Sequence, residues 1–264
     1  MVVLITGISS GFGLETAKLL AQEGHIVYGT VRRAVEPLPK VHYLQVDVRD
    51  EQAVNEAVTQ VVEKEGCIDV LINNAGMGIG GPLEFATEEE IRLQMDTNFM
   101  GLVHCVDAVL PYMRKQSSGK IIALSSIGGL MGLPFQGFYS ASKFAIEGYC
   151  EALRLEIKSF GIQVVVLRPG DFATGFTGSR KKVADEAALE AYPIYKTAIA
   201  KVEHDENGGL KPEVLAKKIS KVIQKRHPRN GYVVASLEQK LSVLLKRILP
   251  AKWFARILGS YYRV

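Results

Sequence analysis

The stretch TGISSGFG, residues 6–13, decides the fold because it joins two different hydrophobic patterns through three glycines. The run VVLIT, which ends in this stretch, is typical of a short buried strand, whereas the apolar residues after it recur at helical spacing. Gly7 allows a tight turn, Gly11 lets a phosphate group approach the backbone, and Gly13 lets the helix approach the strand. Because a helix N-terminus offers free N–H groups and a partial positive charge, the stretch predicts a phosphate-binding loop.

The remainder of the chain repeats this alternation of strand and helix. Strand-like apolar runs occur at residues 2–6, 25–31, 41–48, 68–74, 120–126, 162–169 and 231–236, and helical patterns at 11–23, 50–65, 88–116 and 139–160. Strands that are apolar throughout indicate a sheet covered on both faces, and the intervening helices indicate parallel pairing. We therefore predict an α/β fold, a single domain with a doubly wound parallel sheet of about seven strands and ligands at their carboxyl ends.

The composition is that of a globular protein with a sizeable core, since 47% of the 264 residues are hydrophobic and 23% are charged. No apolar run approaches the roughly 18–20 residues of a membrane span, and the N-terminus lacks the features of a signal peptide. The cysteines, Cys67, Cys105 and Cys150, are far apart, and the five histidines do not cluster. These features predict reduced thiols, no metal site and a cytoplasmic location.

The segment FYSASKFAIEG, residues 138–148, places Tyr139 and Lys143 one turn apart on the same helix face. A phenol with a pKa of about 10 needs a shift of about 3 units, or about 4 kcal/mol, to exchange protons readily near pH 7. An ammonium group at about 4 Å contributes about 1 kcal/mol in water and about 4 kcal/mol at an effective dielectric constant of about 20. The pair therefore predicts a proton-transfer site in a partly desolvated cleft.

The loop spacing GxxxGxG, the segment Asn73-Asn74-Ala75-Gly76 and the Tyr139–Lys143 pair together resemble the short-chain dehydrogenase/reductase family. The resemblance spans about residues 2–236 and implies a Rossmann-type fold that binds a nicotinamide dinucleotide. The cofactor-binding residues that it implies are Gly7, Ser9, Ser10, Gly11, Phe12 and Gly13 at the pyrophosphate, Asp47 and Val48 at the adenine, Asn74, Ala75 and Gly76 along the cofactor, Tyr139 and Lys143 at the ribose, and Pro169, Gly170, Phe172 and Thr174 at the nicotinamide.

The same resemblance implies that Asn98, Ser126, Tyr139 and Lys143 form the catalytic set. Tyr139 would donate the proton, Lys143 would make the phenol a usable donor, and Ser126 would orient the carbonyl group. Ser125 is the competing serine, but the spacing to Tyr139 in the family favours Ser126. Asn98 would lie at a helix irregularity, where its backbone carbonyl group would bind a water molecule linked to Lys143.

The end of the second predicted strand indicates which dinucleotide is preferred. Proteins that prefer NAD(H) usually place an acidic residue near this position to bind the ribose 2′-hydroxyl group. This chain has Arg32 and Arg33 there instead, and a guanidinium group can bind a 2′-phosphate with two hydrogen bonds. We therefore predict NADP(H) over NAD(H), with Arg32 the better candidate and at least one of the two arginines a solvated surface charge.

Residues 126–153 look most like the 17β-hydroxysteroid and retinol dehydrogenase branch of the family. That resemblance implies an NADP(H)-dependent carbonyl reductase or alcohol dehydrogenase for an apolar substrate, with steroid-like, retinoid-like, polyketide, fatty-acyl and terpenoid ketones all open. A regulatory protein that binds NADP(H) without turnover is the alternative. Residues 175–210 correspond to the variable substrate lid, which we expect to be a short helix pair. The apolar candidates for the pocket wall are Met77, Leu130, Met131, Leu133, Phe135, Phe172 and Phe176.

Residues 237–264 continue beyond the catalytic domain of residues 1–236 as a basic, amphipathic helical extension that Pro250 interrupts. From Lys211 to Val264 the chain has 13 Lys or Arg and 2 Asp or Glu, which leaves 19 and 26 for the preceding residues. The extension is consistent with docking on the domain as part of the lid, with peripheral membrane contact, or with a subunit contact. We also expect a homodimer or homotetramer through the helix at 139–160, and no nucleic-acid binding, because the basic segment has no recognised motif for it.

Overall fold

The computed structural model describes residues 1–182 and 186–264, and it confirms the predicted doubly wound sheet. Seven parallel strands form the sheet in the order β3-β2-β1-β4-β6-β7-β9, and β5 and β8 form a separate parallel pair. The strands are β1 (Val2–Ile5), β2 (Ile26–Val31), β3 (Val41–Gln45), β4 (Val70–Asn73), β5 (Ile79–Gly80), β6 (Gly119–Leu124), β7 (Ile162–Pro169), β8 (Lys181–Lys182) and β9 (Gly231–Val234). The strand order reverses at β1 and β4, which is where ligands bind in sheets of this kind.

Helices cover both faces of the sheet, so the central strands are buried on each side. One layer contains α1 and α9, and the other contains α2, α4 and α5. The helices are α1 (Gly11–Gln22), α2 (Glu51–Glu65), α3 (Glu88–Met95), α4 (Gly101–Gln116), α5 (Gly137–Glu156), α6 (Phe176–Ser179), α7 (Glu186–Ala191), α8 (Tyr195–Asn207), α9 (Pro212–Ile223), α10 (Leu237–Ile248) and α11 (Ala251–Tyr262). Within the described ranges, no helix is both long enough and apolar enough to cross a membrane.

The helical pattern at 88–116 is not one regular helix. It begins with a capping box in which Thr87 and Glu90 satisfy each other's backbone N–H groups. After α3 the chain forms a π-helical turn at Asp96–Met100 and then continues as α4. This turn contains Asn98, so the predicted helix irregularity is present, and such turns often occur at functional sites.

The region after β7 contains more elements than the predicted helix pair. The predicted lid, residues 175–210, includes α6, β8, α7 and α8, while residues 183–185 of that prediction lie outside the described residues. The C-terminal extension forms α10 and α11, with Pro250 at the start of α11 as the sequence predicts. Val243 of α10 and Phe254 of α11 are buried with Ile127 and Met131 of the domain. The extension therefore docks on the domain through one of its faces.

Candidate active site

The glycine loop is held against the segment that follows β4. Gly7 has a φ of +70°, and a Cβ atom there would lie 2.9 Å from the Cα atom of Ala75. The side-chain amide of Asn74 donates to the carbonyl oxygens of Thr6 at 2.8 Å and of Gly7 at 2.7 Å. Gly13 lies behind the loop, where a Cβ atom would approach the Gly7 carbonyl oxygen to 2.2 Å. The predicted close contact between helix and strand is therefore present.

The N-terminus of α1 has the properties of a phosphate site. Ser10 is the N-cap residue, and within the described residues its side chain makes no capping hydrogen bond and the first turn carries no acidic residue. The backbone N–H groups of this turn, which lack partners within the helix, are therefore available to an anion from the cavity. Since the loop also excludes side chains at Gly7 and Gly11, this part of the chain fits the pyrophosphate of a dinucleotide.

A cavity of about 210 Å³ at the carboxyl ends of the strands brings most of the predicted residues together. Its wall includes loop, strand-end and helix residues that are far apart in the sequence. The predicted residues in this wall are Gly7, Ser9, Ser10, Gly11, Phe12, Asn74, Ala75, Gly76, Ser126, Tyr139, Lys143, Pro169, Gly170, Phe172 and Thr174. Gly13 and Asn98 lie behind the wall and act on it through the residues that they contact.

Arg32, Asp47 and Val48 line a second cavity of about 60 Å³, which shares Ala75 and Gly76 with the first cavity. Arg33 is exposed and is not among the residues that line either cavity. The two arginines therefore have different positions, since Arg32 lines a cavity and Arg33 does not. The Asp47 carboxylate has a partner that the sequence did not predict, because Arg49 donates to it at 2.6 Å and lowers its pKa.

Tyr139, Lys143 and Ser126 occupy the middle of the main cavity wall. Burial raises the pKa of Tyr139 to about 12, and a hydrogen bond with Ser126 acts in the opposite direction. Burial lowers the pKa of Lys143 to about 8. The Lys143 ammonium donates to the Leu124 carbonyl oxygen at 2.9 Å and lies 5.7 Å from the centre of the Tyr139 ring.

These values differ from the expectation that Lys143 lowers the pKa of Tyr139. The physical reason is that the ammonium group is directed to a backbone carbonyl and the desolvation of the phenol outweighs the nearby charges. Tyr139 therefore holds its proton at neutral pH. That protonation state suits a group that donates a proton to a carbonyl oxygen.

The two serines at the end of β6 have different environments. The Ser126 hydroxyl faces Tyr139 and accepts a hydrogen bond from the Gly128 backbone N–H group at 3.0 Å. The Ser125 hydroxyl instead donates to the backbone carbonyl of Lys143 at 3.4 Å. Only Ser126 is therefore paired with the phenol.

Asn98 acts on the site through the loop at Met77 rather than by facing the cavity. Its side chain accepts from the Met77 N–H group at 2.8 Å, donates to the Met77 carbonyl oxygen at 3.0 Å, and donates to the Ser142 hydroxyl at 3.0 Å. Gln94 also donates to the Met77 carbonyl oxygen, at 2.6 Å. These bonds fix the backbone of a cavity-lining residue, which is a side-chain role that the sequence analysis did not assign to Asn98.

Asp171, Asp205, Glu206 and Tyr262 also line the main cavity, and the sequence analysis missed them as site residues. Glu206 is paired with the buried Arg180, and Asp205 with Lys201. Asp171 accepts a hydrogen bond from Gln239 at 2.7 Å, and burial together with the Glu206 and Asp205 carboxylates raises its pKa to about 6. An acidic residue directly after Pro169-Gly170 was the available signal for Asp171, whereas Tyr262 lies far away in the sequence.

The predicted apolar residues divide into two groups. Met77, Leu133, Phe172 and Phe176 line the main cavity. Leu130 and Met131 pack in the cluster formed with α10 and α11, and Phe135 packs near Tyr192 and Tyr195. Three of the seven predicted residues are therefore packing residues, and the cavity is more acidic than the sequence suggested.

A doubly wound sheet with a glycine phosphate loop and a Tyr–Lys pair at its carboxyl edge defines a nicotinamide-dependent oxidoreductase. A family model described as short chain dehydrogenase matches residues 1–185. The chain belongs to the short-chain dehydrogenase/reductase family, whose oxidoreductases act on CH–OH groups with NAD(P).

Three relatives illustrate the range of the family around this chain. A 3-ketodihydrosphingosine reductase of Bacteroides thetaiotaomicron is 48% identical over 264 residues, which covers 100% of this chain and 98% of the relative. Retinol dehydrogenase 8 of Bos taurus is 35% identical over 252 residues, which covers 86% of this chain and 78% of the relative. The 17-beta-hydroxysteroid dehydrogenase type 1 of Homo sapiens is 39% identical over 211 residues, which covers 72% of this chain and 64% of the relative.

Solved structures of the family contain both dinucleotides. A structure of ElxO with NADP bound has a TM-score of 0.71 and 26% identity, and it covers 88% of this chain and 95% of that chain. A short-chain dehydrogenase/reductase from Burkholderia phymatum in complex with NAD has a TM-score of 0.81 and 25% identity, and it covers 92% of both chains. The fold is therefore compatible with either cofactor.

Proposed function

We propose that this protein is an NADPH-dependent reductase of a 3-keto sphingoid base such as 3-ketodihydrosphingosine, an apolar long-chain ketone with an amino group beside the carbonyl group. The observation that carries the proposal is the 48% identity to a 3-ketodihydrosphingosine reductase over the whole chain, including residues 237–264. The similarity to the human hydroxysteroid dehydrogenase covers a smaller part of both proteins. Steroid and retinoid ketones are therefore the weaker candidates.

The cavity lining supports an amino ketone over a neutral one. Asp171 lines the cavity and lies near enough to Tyr139 to influence the pKa of the phenol. Its two carboxylate neighbours, Glu206 and Asp205, already have cationic partners. A substrate ammonium group would compensate the Asp171 charge, while Met77, Leu133 and Phe176 would contact the alkyl chain.

The chemistry follows from the protonation states in the cavity. Tyr139, which retains its proton at neutral pH, donates it to the developing alkoxide oxygen of the ketone. Ser126 donates a hydrogen bond to the same oxygen, and the Lys143 ammonium group would bind the cofactor ribose and stabilise the phenolate that Tyr139 leaves after proton transfer. Bound NADPH would supply the hydride. Asn98 contributes indirectly because it fixes the backbone at Met77.

The preference for NADP(H) rests on Arg32, which lines the smaller cavity beside Asp47 and Val48. An exposed guanidinium group at the end of β2 is placed to bind a 2′-phosphate, and residues 30–33 at this strand end include no acidic residue that would favour a free 2′-hydroxyl group. Arg33 is assigned to the solvated surface.

Further proposals concern the organisation of the chain. Residues 1–236 are the catalytic domain with a substrate lid at 175–210, and residues 237–264 are its extension. A homodimer or homotetramer would form through α5, where Phe144 and Leu155 are exposed. A cytoplasmic location agrees with the three free cysteines. Light scattering of the intact chain tests the oligomeric state, and a monomer at micromolar concentration would contradict the proposed homodimer or homotetramer.

The function is tested by following NADPH and NADH oxidation with 3-ketodihydrosphingosine, a steroid ketone, retinal and a long-chain ketone without an amino group. We expect the amino ketone to have the highest kcat/KM, NADPH to be preferred, and turnover to be lost in Tyr139→Phe. Preference for the steroid or retinal would refute the substrate class and leave the reductase intact. NADPH binding without turnover of any substrate would favour the regulatory alternative.

A further inference from the structure

The outer face of α10 is an exposed apolar stripe. Leu237, Leu241, Leu244 and Ile248 are spaced four, three and four residues apart, so they lie on one side of the helix. Their exposed fractions are 83%, 54%, 51% and 65%. The opposite side of α10 is the side that packs on the domain through Val243. Such a stripe on a surface helix is unusual, because apolar helix faces are normally buried.

The second helix of the extension continues this pattern. Trp253 and Ile257 of α11 lie one turn apart and are 60% and 47% exposed. Phe254, the neighbour of Trp253, is 3% exposed and packs inward. Each helix of the pair therefore has one face that stabilises its attachment to the domain and another face that presents large apolar side chains to the surroundings.

Basic residues flank these apolar faces. The exposed cations beside these faces are Lys240, Arg247, Lys252 and Arg256, whereas Lys246 lies over the ring of the inward-packed Phe254, and Glu238 is the acidic residue of the pair. Lysine and arginine side chains can contact apolar surface with their methylene groups while their charges remain in water. The combination of exposed leucine, isoleucine and tryptophan with flanking cations is that of a helix that lies in a membrane interface.

We propose that α10 and α11 form a docking surface for an anionic lipid bilayer, with both helices parallel to the membrane plane and the stripe residues inserted at the boundary of headgroups and acyl chains. This proposal does not depend on the identity of the substrate. It places the bilayer next to the active site, because Gln239 of α10 holds Asp171 and Tyr262 of α11 lines the main cavity.

Charge distinguishes a bilayer from a second copy of this chain as the occupant. A two-fold interface formed by this surface would bring identical sets of cations together, which is electrostatically unfavourable. A bilayer with anionic headgroups would instead attract each of them while it buries the leucines and the tryptophan. The observations therefore favour a lipid surface.

Trp253, the one tryptophan in the chain, provides a direct test. The intact protein is titrated with vesicles of phosphatidylcholine, with or without phosphatidylglycerol, and the tryptophan emission and the sedimented fraction are recorded. We expect a blue shift and sedimentation with the anionic vesicles, quenching by brominated acyl chains, and weaker binding at high salt. Absence of a shift, or equal binding to neutral and anionic vesicles, would overturn the proposal.

Paired variants separate insertion from unspecific adhesion. We expect Leu241→Ser with Leu244→Ser to weaken vesicle binding at least about tenfold, and Lys240→Gln with Arg247→Gln to weaken it by about tenfold. The matched control is Lys18→Gln with Lys115→Gln, at two exposed lysines on α1 and α4, which should change binding less than about twofold.

All variants should retain NADPH oxidation with a water-soluble ketone, which shows that they fold. Unchanged vesicle binding in the leucine variant would refute insertion. Concentration-dependent shielding of Trp253 without lipid would show that a second copy covers the surface and would also overturn the proposal. Because these readouts do not use the sphingoid ketone, failure of membrane binding and failure of the proposed substrate remain distinguishable.

Discussion

The two walls of the main cavity are built in different ways. The cofactor wall consists of the glycine loop at residues 6–13 and the turn at residues 73–76, and it is held by close backbone contacts and by hydrogen bonds from Asn74 to backbone carbonyl oxygens. The substrate wall consists of Asp171, of Asp205 and Glu206 at the end of α8, and of Tyr262 in α11. That wall is held by side-chain pairs such as Arg180 with Glu206 and Gln239 with Asp171.

This difference determines how each wall responds to change. Close backbone contacts at glycines tolerate no added atom, whereas paired side chains can be exchanged one pair at a time. The cofactor wall should therefore tolerate few substitutions, and its backbone should move little. The substrate wall can be altered to suit another ligand while the fold is retained, as expected of a family with many substrates.

Tyr139 lies where the two walls meet, so its removal should have the largest effect. Tyr139→Phe removes the proton that the carbonyl oxygen needs and keeps the ring, whose centre lies 5.8 Å from that of Phe176. We expect kcat to fall about a thousandfold, with NADPH affinity within about threefold of the wild type. Steady-state kinetics and NADPH fluorescence titration measure the two quantities. A residual rate above about a tenth of the wild type would show that another group donates the proton.

Gly13→Ala tests the rigidity of the cofactor wall. The added Cβ atom would lie 2.2 Å from the Gly7 carbonyl oxygen and 2.5 Å from the Asn74 amide nitrogen, so the loop must move. We expect kcat/KM for NADPH to fall about a hundredfold and the free energy of unfolding to fall by about 1–3 kcal/mol.

Gly148→Ala is the matched control for this substitution. Gly148 is also helical, and a Cβ atom there would meet nothing within 4 Å. The control should leave kinetics unchanged and should slightly stabilise the protein, because alanine favours helix more than glycine. If both variants behave alike, the close contact at Gly13 does not constrain cofactor binding, and the contrast between the walls is wrong.

The same contrast explains what the sequence could reveal. The helix irregularity at Asn98 was expected from the family resemblance, whereas the sheet and the glycine loop were predictable because each strand, helix and turn is indicated by residues that are close together in the sequence. The contribution of Tyr262 and Gln239 to the cavity could not be predicted from the sequence, because it depends on how α10 and α11 pack against the domain. The pKa of Tyr139 was predicted in the wrong direction, since helical spacing fixes which face Lys143 shares and does not fix where its ammonium group points.

Asp171→Asn tests whether the substrate wall recognises an ammonium group. We expect kcat/KM for the amino ketone to fall about ten- to a hundredfold, because a charge-assisted hydrogen bond is lost. The long-chain ketone without an amino group should be reduced equally well by the variant and the wild type. An equal loss for both ketones would mean that Asp171 supports the fold of the wall and does not select the substrate.

Arg32→Ala and Arg33→Ala test the outer end of the cofactor wall. Arg32 lines the smaller cavity and Arg33 does not, so only the first substitution should matter. We expect the KM for NADPH to rise about tenfold in Arg32→Ala, with the KM for NADH nearly unchanged. Arg33→Ala should resemble the wild type with both cofactors. The reverse result would assign the 2′-phosphate to Arg33, and no change in either variant would remove the basis for NADP(H) preference.

The smallest expected effect is the influence of Asp171 on stability, and it follows from the raised pKa of its carboxyl group. In the folded protein this pKa is about 6, compared with 3.8 as the ordinary value. The folded state therefore holds the proton more tightly than the unfolded state, so the carboxyl group favours folding below about pH 4 and this contribution is lost as the pH rises through about 6. Ionised Asp171 consequently destabilises the fold at pH 7.5, and Asp171→Asn should remove a cost of about 1–2 kcal/mol.

The expected gain in Tm for Asp171→Asn is about 3–6 °C at pH 7.5, and it should nearly vanish at pH 4, where both folded proteins are uncharged at this position. Differential scanning fluorimetry at the two pH values measures it, with wild type and variant compared at each pH so that other carboxyl groups cancel. A variant that is more stable and less active would show that this wall keeps a buried charge for its ligand, whereas a variant that is less stable at pH 7.5 would show that the hydrogen bond with Gln239 outweighs the burial of the charge.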